Sequence, residues 1–220
     1  MNAQFRDRFR DRFAAGRQLA KALSVYINSS DALLLALPRG GVPVAYEVAQ
    51  ALQLPLDVCI VRKLTLAEHS ELAIGAIGLG GVQVLNDNVI KSLQISKRSI
   101  ERAAKQEQRE LNRRERAYRG HRPLPDIEGR TIVLVDDGIA TGATMKAAIA
   151  VIQSQQPKEI IVAVPVAPST TCQEIRQYVS RVVCLLTPSP FRAISLWYEY
   201  FLQTTDGQVN RLLSLSAAQR

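Results

Sequence analysis

Three cysteines, one tryptophan and no long apolar run in 220 residues exclude several classes of protein before any motif is read. Cys59, Cys172 and Cys184 are too widely separated for a zinc-ligand spacing or a disulfide framework, so the expected compartment is the reducing cytoplasm. Cys59 and Cys184 stand in apolar runs and read as small core residues. Aromatic residues are only 5% of the chain against 47% hydrophobic overall, so the core is expected to pack mainly through aliphatic side chains. No stretch of about eighteen apolar residues is present, which argues against a membrane span. The opening MNAQFRDRFRDRF has no apolar segment of the secretory type, and Asp7 and Asp11 argue against an Arg-rich transit peptide.

The formal charge is +8, and it is unevenly spread. Residues 91–122 carry eleven Lys/Arg against four Asp/Glu, which accounts for almost all of the excess. A locally basic segment is a narrower statement than a basic protein. The length fits one domain over 1–220. Short apolar runs alternate with helical patterns from residue 33 to residue 186. This predicts an α/β fold with a mostly parallel central sheet flanked by helices.

Within that frame the spacing of Phe5, Phe9, Phe13, Leu19 and Leu23 predicts an N-terminal helix over 4–27, with Arg and Asp on its polar face. Strands are expected at 33–37, 56–62, 132–135, 159–166 and 181–186. Helices are expected at 44–52, 145–153, 170–178 and 207–215. Residues 72–79 and 82–85 read as a hairpin turned at Gly80-Gly81. The basic segment reads as one long helix over 88–119, in which Glu101/Lys105, Glu110/Arg114 and Glu115/Arg119 are favourable i,i+4 pairs.

Residues 131–144, TIVLVDDGIATGAT, carry the clearest chemistry. A buried strand delivers two adjacent carboxylates, Asp136 and Asp137, to a turn of small residues that opens a helix. Peptide N–H groups converging on a helix N-terminus favour a phosphate, and Thr141 and Thr144 add hydroxyl donors. Paired carboxylates suit vicinal sugar hydroxyls or Mg²⁺. The stretch is built for a phosphate with a diol beside it, such as a ribose 5-phosphate. A second candidate anion loop is Pro38-Arg39-Gly40-Gly41, again between a strand and a helix.

These residues resemble the motifs of the type I phosphoribosyltransferases, which use phosphoribosyl pyrophosphate (PRPP). The match to the PRPP motif runs without a gap from Ile132 to Thr144. The resemblance implies that fold, with a lid and hood, and assigns roles to residues. Asp136 and Asp137 would hold the ribose hydroxyls, directly or with a second Mg²⁺. Gly138, Ile139, Ala140, Thr141, Gly142, Ala143 and Thr144 would hold the 5′-phosphate. LPRGG looks like the pyrophosphate loop, with Arg39, Gly40 and Gly41 as contacts. Arg62 and Lys63 would begin a mobile lid and, with Arg39, stabilise the leaving pyrophosphate. The lid and hairpin would span 63–85, with 64–71 polar and irregular, and the hood and tail 187–220. Mg²⁺ is the implied cofactor, and a homodimer or higher homo-oligomer the implied assembly.

The acceptor is less sharply indicated. Relatives that use 6-oxopurines have a third acid where this chain has Ala140, so a nucleobase-like nitrogen acceptor other than a 6-oxopurine is expected. Glu71 is a candidate to supply a base function, and His69 is left without a role. Phe191 and Trp197 are candidates to stack on a planar acceptor, with plain packing the favoured reading. A competing function is a PRPP-sensing regulator that uses residues 91–122 on RNA. It ranks below the enzyme because no aromatic-interleaved RNA-reading motif accompanies the charge. A third reading is another phosphorylated ligand, which Arg39 and Lys63 together disfavour.

Overall fold

The computed structural model describes residues 8–66, 69–120 and 122–218, without the side chains of residues 69–72 and 79. In chain order the first elements are α1 (Arg12–Ala22), β1 (Ala32–Ala36), α2 (Gly41–Leu52) and β2 (Leu56–Val58). A meander follows, of β3 (Val61–Leu66), β4 (His69–Gly78) and β5 (Val82–Leu85), and then α3 (Asp87–Ser92) and α4 (Lys97–Arg119). The second half holds β6 (Thr131–Val135), α5 (Ala143–Gln153), β7 (Glu159–Val166), α6 (Ser169–Ile175), β8 (Arg181–Leu186) and α7 (Asp206–Ala218).

The central sheet is parallel throughout, in the order β2-β1-β6-β7-β8. Strands β1 and β6 are buried along their whole length, because helices cover both faces. Successive residues point to opposite faces. Leu34, Val133 and Val135 therefore meet Leu19 of α1 and Val44 and Val48 of α2. Leu33, Leu35, Ile132 and Leu134 meet Ile149 and Ile152 of α5. Each such buried aliphatic side chain stabilises the fold by roughly 1.5–3 kcal/mol. The architecture is the α/β arrangement that the alternating pattern predicts.

Several local expectations need correction. Residues 4–7 of the expected N-terminal helix lie outside the described residues, and among those described the helix begins at Arg12. Asp11 accepts the Ala14 N–H at 2.7 Å and caps α1, so Phe9 falls outside the helix and pairs with Tyr198 in a parallel bridge. The tail of the expected helix is a separate 3₁₀ turn, Ser24–Tyr26. The single strand expected over 56–62 is two strands in two sheets, broken at Cys59-Ile60. An apolar run gives no local sign of such a transfer.

The stretch expected to be an irregular lid is largely a hairpin of β3 and β4, with register shifts beside Thr65. Its second turn matches expectation, with Gly80 and Gly81 both at positive φ. Finally, the basic helix over 88–119 is divided. Gln94 adopts φ 50° and Ser96 accepts the Ser99 N–H, so one helix stops and another starts. α4 is fastened to the central sheet by a buried pair, Arg119 Nη2 to Asp57 Oδ1 at 3.2 Å.

Candidate active site

Two loops leave the C-terminal ends of adjacent strands, where parallel sheets place their ligands. Residues 37–40 link β1 to α2, and residues 136–142 link β6 to α5. α2 starts at Gly41, earlier than expected, because Pro43 falls in the first turn, where a missing N–H is tolerated. The Pro38-Arg39 peptide is cis.

The loops are interlocked through their glycines. A Cβ on Gly40 would stand 2.1 Å from Asp137 Oδ2, and one on Gly41 would stand 2.7 Å from the Val135 carbonyl oxygen. Only glycine lets the first loop lie this close to the second. The Leu37 N–H also donates to the Val135 oxygen, at 2.9 Å.

The second loop is braced from outside the motif. The Ile139 N–H donates to the Val166 carbonyl at 2.9 Å, and Thr171 Oγ1 donates to the Ala140 carbonyl at 3.0 Å. Gly142 is left-handed, φ 76°, and packs against Thr171 at the start of α5. Ala140, Thr141 and Thr144 remain exposed, so two hydroxyls and the open N-terminus of an eleven-residue helix face outward together. Such an arrangement is chemically suited to an anion.

The two acids occupy unlike surroundings. Asp136 is partly exposed, with Oδ1 turned back to accept the Asp137 N–H at 2.8 Å. Burial of its carboxyl, and then the neighbouring Asp137, push its pKa well above the ordinary carboxylate value. Asp137 is buried, and Arg12 Nε donates to its Oδ2 at 2.7 Å. Burial raises this carboxyl too, against the opposing pull of Arg12. Tyr198 donates its hydroxyl to the Asp137 carbonyl at 2.5 Å.

Sequence reasoning misses Arg12 and Tyr198. Periodicity puts Arg12 on the polar face of the N-terminal helix, whereas its partner lies 125 residues away. The available signal is general: a buried acid at a strand end requires a cation or donors.

The remaining candidates are distributed as follows. Arg39 is half-exposed, with Nη1 3.7 Å from Asp206 Oδ1, the same oxygen that accepts the Tyr118 hydroxyl at 2.6 Å. Arg62 and Lys63 are consecutive strand residues and diverge. Arg62 Nε reaches back to Glu107 of α4 at 2.6 Å, away from both loops. Lys63 is exposed and lines a cavity of about 330 Å³ with Lys146 and with Ala143 at the start of α5. Glu71 lies in β4 with its side chain outside those described.

Trp197 is buried in a cluster with Phe9, Ala15, Val166 and Tyr198, and Phe191 packs on its edge. Both act in packing here. Among the described residues no group of three or more His, Cys, Asp or Glu is arranged for a metal ion, and no helix is long and apolar enough to cross a membrane.

Comparison with known proteins agrees with this geometry. Residues 7–196 match the family described as the phosphoribosyl transferase domain. Two curated relatives from Mycobacterium tuberculosis strains, "Putative phosphoribosyl transferase MT0597" and "Putative phosphoribosyl transferase Rv0571c", are each 44% identical over 201 residues. That alignment covers 91% of this chain and 45% of each relative, so the chain spans about half the length of the curated relatives it matches. The crystal structure of TT1426 from Thermus thermophilus is 40% identical, with a TM-score of 0.84 over 94% of this chain and 97% of that one.

Proposed function

The chain belongs to the phosphoribosyl transferase family, and on that premise we propose that it transfers the 5-phosphoribosyl group of PRPP to a nitrogen acceptor with release of pyrophosphate. The observation that carries this reading is the interlock of the two loops, with the Asp137 carboxylate seated against Gly40. It brings an exposed helix N-terminus, an acid pair and a second glycine loop side by side, which supports a ligand held in the order 5-phosphate, diol, pyrophosphate.

In the reaction the C1–O bond to pyrophosphate breaks as the bond from C1 to the acceptor nitrogen forms. Positive charge grows on the sugar and negative charge on the leaving group, so the protein contributes positioning and fixed charge. Thr141, Thr144 and the α5 N-terminus take the 5-phosphate. The ribose diol lies beside the acid pair. Arg39 takes the pyrophosphate, leaving Asp206, and Lys63 reaches it from the hairpin over β3 and β4. Arg62 is held by Glu107 and is assigned a bracing role between hairpin and α4.

A partly exposed Asp136 fits one carboxylate ligand of a Mg²⁺ ion whose other ligands come from substrate and water. When bound, that ion neutralises charge on the diphosphate. Ala140 supplies no acid to a 6-oxopurine, so the acceptor is placed among other nucleobase-like nitrogen heterocycles. A homo-oligomer acting in cytoplasmic nucleotide salvage is the setting this reading implies.

The regulator reading loses support from α4. Arg113 and Arg114 are both paired with Glu110 at 2.8 Å, and Arg119 is buried on Asp57, so part of the basic charge is already used. The test is Mg²⁺-dependent release of pyrophosphate from PRPP across a panel of nucleobases, with Asp136→Asn as the inactive control. PRPP binding without release for any acceptor would turn the reading toward a sensor. Absence of PRPP binding would end it.

A further inference from the structure

Within the acid pair the labour is divided, and we propose that Arg12 is the positioning residue that divides it. Arg12 locks Asp137 against Gly40 and leaves Asp136 as the carboxylate that meets the ribose. The inference rests on the PRPP reading given above and adds a residue that the motifs do not contain.

Four contacts hold the arrangement. Arg12 Nε donates to Asp137 Oδ2 at 2.7 Å, with the side chains only 10% and 12% exposed. Arg12 Nη1 donates to the Leu202 carbonyl at 2.6 Å. The guanidinium lies 3.8 Å from the centre of the Phe201 ring, a cation–π contact. The Tyr198 hydroxyl fixes the backbone of Asp137 from a further side. The guanidinium is thus planar, buried and fixed by three partners, a geometry that lysine cannot reproduce.

Gly40 lies close against the same carboxylate, nearest to the Oδ2 that Arg12 holds. For Asp137 Oδ2 to turn toward a sugar it would have to abandon a buried cation, a strongly disfavoured state. Asp136 has no such tie. Its Oδ1 accepts the next residue's N–H, its carboxyl interacts with that of Asp137, no cation among the described residues bonds it directly, and it is partly open to solvent. Arg12 therefore acts through Asp137 on Gly40, and so sets the position of the pyrophosphate loop from a helix that precedes both motifs.

The experiment compares Arg12→Met, Arg12→Lys, Asp136→Asn, Asp137→Asn and the double variant Arg12→Met/Asp137→Asn at a temperature where thermal scans show each folded. Calorimetry reads Mg·PRPP affinity, and amide hydrogen exchange reads Gly40, Gly41 and residues 136–138 without ligand. Arg12→Met is expected to weaken PRPP on the order of 100-fold, as displaced binding groups do, and to speed exchange at Gly40 and Gly41. Arg12→Lys should recover part of both losses. The double variant, which removes the stranded charge, should bind PRPP better than Arg12→Met. Asp136→Asn should weaken PRPP more than Asp137→Asn.

Unchanged exchange at Gly40 and Gly41 in folded Arg12→Met overturns the proposal, as does a larger loss in Asp137→Asn than in Asp136→Asn. If the unaltered protein does not bind PRPP, the PRPP reading fails by itself. The exchange measurement still decides whether Arg12 positions the loop.

Discussion

Replacing Gly40 by alanine separates two opposite expectations. The backbone there has φ −62° and ψ −33°, ordinary helical values that alanine adopts freely. On backbone grounds alone, Gly40→Ala should stabilise the protein by about 0.4–1 kcal/mol, through a less flexible unfolded chain. The contact argues the other way. The new Cβ would lie 2.1 Å from Asp137 Oδ2 and 2.7 Å from its Cγ, far inside the 3.0 Å that such carbons respect. The carboxylate would have to withdraw by about 1 Å, and Arg12 blocks its retreat at 2.7 Å.

Overpacking of this kind costs roughly 1–3 kcal/mol. The net loss is then about 1–2 kcal/mol, or a fall in Tm of about 2–8 °C at this chain length. On the proposed PRPP reading, Mg·PRPP affinity, read by calorimetry, should drop on the order of 100-fold because the loop at residues 37–40 is displaced. A raised Tm with unchanged affinity would falsify the claim that the two loops form one packed unit.

Three further outcomes are expected. Arg119→Met should cost roughly 3–5 kcal/mol by urea unfolding, because it strands the buried Asp57 carboxylate, and adding Asp57→Asn should recover much of that loss. The Tyr118 phenol is pushed up to about 12 by burial and by donating to Asp206. Its folded pKa exceeds the unfolded value of about 10, so its share of stability is whole below pH ~10 and is lost as pH rises toward 12. Tyr118→Phe should flatten that alkaline slope in urea midpoints. Trp197→Ala should cost about 3–5 kcal/mol as a core truncation, whereas Trp197→Phe should leave acceptor preference in the pyrophosphate-release assay unchanged.

Legibility in the sequence follows the range of the interactions. The strand, acid pair and small-residue turn at 131–144 are contiguous, and each part reports its own conformation, so this stretch can be read directly. The bounds of β7 and β8 match expectation because Pro157, Lys158 and Ser180 punctuate compact apolar runs. The junction of β2 and β3 is invisible, since LDVCIVR is one apolar run whose two halves enter different sheets. Arg62 and Lys63 look like a pair in the sequence, but strand alternation sends one to α4 and the other to the α5 side. The Ser96 cap and Gln94 that divide the basic helix are present in the sequence but are outweighed by its charge pattern. Arg12 is unreadable because its role exists only once residues 12, 137 and 201 meet.

The bridge between Phe9 and Tyr198, with Arg12 reaching the Leu202 carbonyl, has a consequence for biosynthesis. The central strands can pair as soon as β6 and β7 have emerged from the ribosome. The second acid, however, is not clamped until residue 202 is available to receive Arg12. A nascent chain therefore carries a nearly complete sheet and an unfinished acid pair while the segment from Val166, at the end of β7, to Leu202 is made. The acid pair is thereby completed only in chains that have joined these two distant segments.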